Sequence, residues 1–434
     1  MGHRLVVTFA VLLGVATACS GGDDAAEPPA PDPPTTPAAQ TEPTGGPSTT
    51  AAPVTTPPGT APSETAPSDT VPSSTVPTST APSSTVPTST VPMFDFSEVS
   101  TIVGDFVDDR GLDGAGLAIV HRDHGLVHHE HWGEFDPDRV SLIASSSKMI
   151  VAGVLMRLDD DGLLDVDAPV ADVADWGAGN PDITPAQLVS NSSGLVGLLP
   201  EPAYGPYVCQ FLPGDELQRC AGEIFTTTAD DADVVAPDTQ YRYGGAQWQV
   251  AGAVAEVASG RSWAELIDEI YVEPCGVESL AFNNHFTQLG TEGFDYPPEF
   301  DGDPSRLVET ANPNMEGGAY ITSGDYAELL LMHLRDGRCD GGRVLSAEAV
   351  DRLHADRIGD VYGGSAGTDT GYGMGWWVDR TTGRLTDPGA YGAVPWLDLD
   401  DGYGAYLVVE ADGATGNELA AMLYGPVDEI LAGR

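Results

Sequence analysis

Hydrophobic and polar positions divide this chain into three unequal stretches. An apolar run from Leu5 to Val15 follows His3 and Arg4. From Pro28 to Pro92 hydrophobic periodicity disappears, leaving Pro, Thr, Ser and Ala with a few acids. From residue 94 the pattern is that of a folded domain. Gly116 to Val120 is an apolar strand, Arg122-Asp123-His124-Gly125 a turn, and Leu126 to Trp132 a returning strand, so a hairpin opens the domain. Met149 to Leu158 is apolar on nearly every face and predicts a buried helix, stopped by Asp159-Asp160-Asp161-Gly162. A second helix is predicted from about Ala246 to Ala258, ending at Gly260, and a third over Ser323 to Leu334, with Gly337 past its end. Ala390 to Trp396 and Tyr403 to Glu410 read as hairpin strands, and Glu418 to Leu431 as a last helix. Strands at both ends with helices between them predict an α+β or α/β layered fold.

The two leading stretches read as address and tether. Residues 1–19 have the layout of a signal peptide, with an apolar run too short for a stable span. Ala16-Thr17-Ala18-Cys19 followed by Ser20 resembles a bacterial lipobox. That resemblance implies lipidation of Cys19 and an extracytoplasmic protein held to the cell membrane by its lipid alone. Ala16-Thr17-Ala18 also fits a small-residue cleavage site, so plain secretion is the alternative. Residues 20–93 read as a disordered Pro/Thr/Ser-rich linker; Thr70-Val71-Pro72 through Thr90-Val91-Pro92 repeats in five-residue steps. Extended as polyproline II, this spacer reaches on the order of 200 Å at ~3.1 Å per residue.

A formal net charge of −48 repels nucleic-acid phosphates and anionic lipid head groups, and excludes both as partners. Besides Cys19 there are four cysteines, Cys209, Cys220, Cys275 and Cys339. An even number in an exported domain predicts two disulfides. Three pairings are open; Cys209–Cys220 would close a short loop and leave Cys275–Cys339. The spacings match no zinc ribbon or finger, and no metal is expected.

Of the 18 Lys plus Arg residues, 17 are Arg and Lys148 is the single lysine. Arginine serves for surface charge, but only lysine can give up its proton in a protein. Ser145 and Lys148 stand three residues apart at the start of the predicted buried helix, on one face. A serine hydroxyl becomes a useful nucleophile when a base takes its proton, and a desolvated amine can do so. The backbone N–H groups of the helix start can serve an oxyanion. Ser146 and Ser147 face elsewhere and read as capping or packing residues.

Here the sequence resembles the serine β-lactamase-related family, which includes class C β-lactamases, D-Ala-D-Ala carboxypeptidases and related esterases. Ile143-Ala144-Ser145-Ser146-Ser147-Lys148 looks like its first motif. Leu188-Val189-Ser190-Asn191-Ser192-Ser193-Gly194-Leu195 is similar to a segment that usually reads Leu-Leu-x-His-Thr-Ser-Gly-Leu. Tyr241-Arg242-Tyr243-Gly244-Gly245 resembles the second motif, normally Tyr-x-Asn. Gly317-Gly318-Ala319-Tyr320 with Ser323-Gly324-Asp325 resembles the family's Gly-Gly turn into a helix. Asp387-Pro388-Gly389-Ala390 takes the place of the third motif, normally Lys-Thr-Gly or His-x-Gly.

The resemblance implies an antiparallel sheet flanked by helices plus a helical subdomain, with the site between them and no cofactor. It implies Ser145 as nucleophile, Lys148 as base, and Tyr243 as the group that assists the leaving group and the deacylating water. The backbone amides of Ser145 and Ala390 would form the oxyanion hole, and Gly245, Asp387 and Gly389 would stand at substrate-binding positions. Gly245 lacks the amide of the usual Asn, and Asp387 lacks the cation that attracts a substrate carboxylate. An acid there is expected to repel penicillins and peptide C-termini, which points to a neutral ester or amide substrate.

Two other readings follow from the same sequence. With its second and third motifs altered, the protein could be a catalytically inactive relative that binds cell-wall peptide. Alternatively, His121, His124, His128, His129 and His131, five of the nine histidines, sit with Glu130 and invite a metal-dependent hydrolase. Strand alternation puts His129 and His131 on one face and His128 on the other, and no H-E-x-x-H is present. Gly363-Gly364-Ser365-Ala366-Gly367 matches a G-x-S-x-G elbow, but lies in Gly-rich loop with no later His in the chain. Asp159 to Asp165 lacks the spacing of a calcium loop and reads as an acidic helix exit.

Overall fold

The computed structural model describes residues 94–198, 204–226, 234–289, 295–359, 363–364 and 367–431. The expected signal peptide, Cys19, the expected linker and Ser365 lie outside them. The domain opens on a helix, α1 (Ser97–Arg110), and not on the expected hairpin. Its buried face is Val99, Val103, Phe106 and Val107, a helical spacing, and Gly111 ends it in the left-handed conformation. The hairpin follows as β1 (Gly114–His121) and β2 (Gly125–Gly133).

These strands belong to an antiparallel sheet of seven. Its order is Thr370–Tyr372, Trp377–Asp379, Leu385–Thr386, Ala393–Asp398, Tyr403–Val408, β1, β2. Leu117 faces Leu407 across one pair, and Val394 faces Leu407 across the next. β1 is apolar throughout because both faces are covered. Leu117, Ile119, Val394 and Trp396 pack against α1 and the C-terminal helix Gly413–Leu431, whose Leu419, Leu423 and Val427 are buried. Ala118, Val120, Leu397 and Tyr406 face the other way, into a larger core. That core holds α2 (Lys148–Asp160) and the helices Gly245–Ser259 and Ser323–Leu334. The layered α+β fold expected from the sequence is present.

α2 is buried at every position except Arg157, Asp159 and Asp160. A helix apolar all round has no solvent face, and it packs among the helices Gly245–Ser259, Ala347–His354 and Pro185–Val189. Gly260 closes the second helix in the left-handed conformation, as its position suggested. Cys209 is bonded to Cys220, and Cys275 to Cys339. No helix among the described residues is long and apolar enough to cross a membrane.

Candidate active site

The short strand Val140–Leu142 pairs with Ala319–Thr322 and runs into a 3-10 turn, Ala144–Ser147, that feeds α2. Ala144 has φ 44°, left-handed for a residue with a Cβ. Such a conformation costs of order 1–3 kcal/mol and persists where surroundings enforce it. The neighbouring serines supply that enforcement. Ser147 Oγ donates to Ala144 O at 2.6 Å and accepts from Ala319 N at 3.1 Å. Ser146 Oγ donates to Asp387 O at 2.6 Å, and Tyr326 Oη donates to Ser146 O at 3.0 Å. The turn leaves Ser145 as the only residue between 141 and 150 that is not buried. Ser146 and Ser147 are structural, as their positions on the helix suggested.

Lys148 is fully buried and its Nζ lies 3.0 Å from Ser145 Oγ. It donates to Glu316 O at 2.8 Å and has the Glu316 carboxylate 3.9 Å away. The Tyr243 ring lies 4.8 Å from the amine, and its hydroxyl interacts with both Ser145 and Lys148. Trp377 stacks on the other side of Tyr243, centroids 5.6 Å apart. One hydroxyl, one amine and one phenol thus converge at the mouth of a helix.

Burial pulls the Lys148 pKa down, while Tyr243, Glu316 and Asp387 pull it up, and with those partners ionised the balance is upward. Burial pushes Tyr243, Glu316 and Asp387 above their ordinary values, with Lys148 opposing in each case. An acid that keeps its own proton exerts no such pull. What then acts on Lys148 is burial, which favours the free amine.

Asp387 is a correction to the sequence reading. Its side chain is fully buried and cannot meet a substrate carboxylate. Oδ2 accepts from the Met149 amide at 3.2 Å, and the Lys148 amide adds a second bond at the start of α2. The residue therefore caps α2 from within. Gly245 is likewise closed off. A Cβ there would stand 2.2 Å from Glu316 Oε1 and 2.3 Å from Gln210 Oε1. Gly389 lets the third motif run against the nucleophile turn, since a Cβ would meet Ile143 O at 2.1 Å. The next residue, Ala390, is partly exposed, and its amide makes no hydrogen bond with another described residue.

Asn191 is buried with φ 55° and accepts from Gln247 Nε2 at 2.7 Å and Trp248 Nε1 at 3.1 Å, bracing the helix that follows Tyr243. The histidines do not converge. His129 and His131 share Ser323 Oγ at 2.9 and 3.1 Å, His128 sits beside Glu130, and His121 stacks on His124 in the turn. Among the described residues no group of three or more His, Cys, Asp or Glu is arranged to hold a metal. Sequence reasoning missed Glu316 and Gln210. Neither carries a motif, and each reaches the site from a loop distant in the chain.

The beta-lactamase family profile matches residues 99–424. The chain belongs to the beta-lactamase family. Penicillin-binding protein 4 of Amycolatopsis lactamdurans is 28% identical over 345 residues, covering 75% of this chain and 84% of that protein. Esterase EstB of Burkholderia gladioli is 27% identical over 316 residues, covering 64% and 75%. A solved structure from Bacteroides dorei, designated a candidate beta-lactamase, is similar with a TM-score of 0.61 at 25% identity, over 78% of this chain and 99% of that one. The fold is of the β-lactamase/transpeptidase type, and the family is one of serine hydrolases with penicillin-binding and esterase members.

Proposed function

We propose that this protein hydrolyses a neutral ester or amide through an acyl-enzyme on Ser145. The observation that carries this reading is the 3.0 Å contact between the only lysine in the chain and the one partly exposed serine of the turn. Lys148 as free amine takes the Ser145 proton while Oγ bonds the carbonyl carbon. The oxyanion so formed is received by the amides of Ser145 and Ala390. The proton then passes to the leaving oxygen or nitrogen by way of Tyr243 as the carbon–heteroatom bond breaks. Water attacks the acyl-enzyme with its proton drawn off along the same route, and Ser145 is restored.

The neutral-substrate reading rests on the character of the walls. At the third-motif position Asp387 is turned into the interior and no cation stands there to receive a carboxylate, while Tyr243 and Trp377 present aromatic surface. The relationship to an esterase is in keeping with this. A fluorophosphonate probe followed by mass mapping is expected to label Ser145, and a p-nitrophenyl ester is expected to turn over faster than nitrocefin. Folded protein that takes no label would make it a non-catalytic relative, and comparable nitrocefin turnover would remove the preference for neutral substrates.

We also propose that the enzyme is extracytoplasmic and tethered by lipid on Cys19. Cys19→Ala should shift it from the membrane to the soluble fraction; a membrane fraction unchanged by the substitution would disprove the tether.

A further inference from the structure

The space over Gly245 is filled from two other parts of the chain. Glu316 comes from the loop before strand Ala319–Thr322, and Gln210 from the 3-10 segment Gly205–Phe211. Both side-chain oxygens lie within 2.3 Å of the point where a Gly245 Cβ would stand. Neither Glu316 Oε1 nor Gln210 Oε1 has a hydrogen-bond donor among the described residues, although both are buried. Two such acceptors crowding one small buried space are satisfied when one of them carries a proton towards the other. Gln210 cannot supply it by rotation without loss, because its Nε2 already donates to Tyr207 O at 3.1 Å. The carboxyl can. Its other oxygen, Oε2, is 3.9 Å from Lys148 Nζ.

Gln210 is held firmly. Its backbone oxygen accepts from Asn284 Nδ2 at 2.9 Å and Asn314 Nδ2 at 3.0 Å, and its neighbour Cys209 is cross-linked to Cys220. Cys209 O in turn accepts from Asn312 Nδ2 at 2.9 Å. A carboxamide net thus fixes the acceptor against which Glu316 rests.

We propose that Glu316 is a positioning residue of the acyl-transfer site, its carboxyl donating to Gln210 Oε1 and presenting Oε2 to Lys148, in the space vacated by the missing side chain at 245. This rests on the Ser145–Lys148 reading of the active site. Facing the carboxyl are Lys148 from α2 and Tyr391 from the loop after the third motif. When Glu316 keeps its proton, Lys148 is the freer base. When Glu316 loses it, the carboxylate holds the amine in its charged form. Pushed upward by burial, Glu316 stays protonated further towards neutrality than an ordinary glutamate.

Two variants test this with a p-nitrophenyl ester, alongside thermal unfolding. Glu316→Gln supplies an N–H to Gln210 and an oxygen to Lys148 without any charge. It is expected to keep kcat/KM within about threefold at neutral pH and to move the acid limb of the pH profile to lower pH, because the carboxylate's hold on Lys148 is gone. Glu316→Ala is expected to lose at least tenfold in kcat with KM little changed. An unmoved acid limb in Glu316→Gln, or full activity in Glu316→Ala, would overturn the proposal. If Ser145 takes no acylating label in the parent protein, the underlying site reading falls instead, and the two failures are thereby told apart.

Discussion

Lys148→Arg is expected to lower kcat/KM for an activated ester by roughly a thousandfold or more, with folding retained. The substitution keeps the positive charge but removes the nitrogen beside Ser145 that can release a proton. If Lys148 served only as a fixed cation beside an oxyanion, arginine would replace it at modest cost. Initial rates and the speed of fluorophosphonate labelling at Ser145 measure the effect directly. A rate within about threefold of the parent would mean that the hydroxyl is activated by something else, with Tyr243 the next group in contact. Thermal unfolding of the variant separates a lost base from a guanidinium too large for a site with no exposed surface.

Stability is expected to fall as the solution is acidified below neutrality, through three buried histidines. Burial lowers His285 and His354 to about 3 and His333 well below its ordinary 6.5. His354 Nε2 meets His333 Nδ1 at 3.0 Å beneath Trp376, and His285 Nε2 meets Tyr391 Oη at 3.1 Å. Above pH 6.5 both folded and unfolded chains leave these rings neutral, so nothing is lost. Below it the unfolded chain binds protons that the fold refuses. Each such ring then costs about 1.4 kcal/mol per pH unit until its folded value is reached. Glu316 and Asp387 act in the opposite sense, since their raised values favour the fold as they protonate. Urea unfolding of His354→Gln isolates one ring. Its loss of stability between pH 6 and pH 5 should be smaller than the parent's by about 1.4 kcal/mol. Equal losses would show that His354 already titrates normally in the fold.

The sequence disclosed elements whose pattern is local and strong. α2 was legible because ten of its residues are buried and apolar runs of that length are rare in loops. β1 and β2 were legible from a turn between apolar runs. The strands Thr370–Tyr372, Trp377–Asp379 and Leu385–Thr386 were not, because two or three residues are too few for alternation to register. α1 carries its signal in only five apolar positions, Val99, Ile102, Val103, Phe106 and Val107, among polar and acidic residues. Within the site, the Ser145–Lys148 pair could be read because helix geometry relates residues three apart. Glu316 could not, since it meets Lys148 across 168 positions of chain and sits in a glycine-rich loop with no periodicity. Asp387 was placed in the right region, but whether its side chain faces substrate or the interior depends on one step of strand alternation. The backbone takes the inward step, onto the amides of α2.

The solitary lysine leaves the exterior of the described domain without an ε-amine. Acylating dyes and aldehyde fixatives, which seek such groups, find one such target there, sealed at zero exposure. Any adduct recovered on Lys148 would record a moment when the catalytic centre stood open to water. The same residue is therefore a built-in gauge of breathing, readable by mass spectrometry with no engineered label.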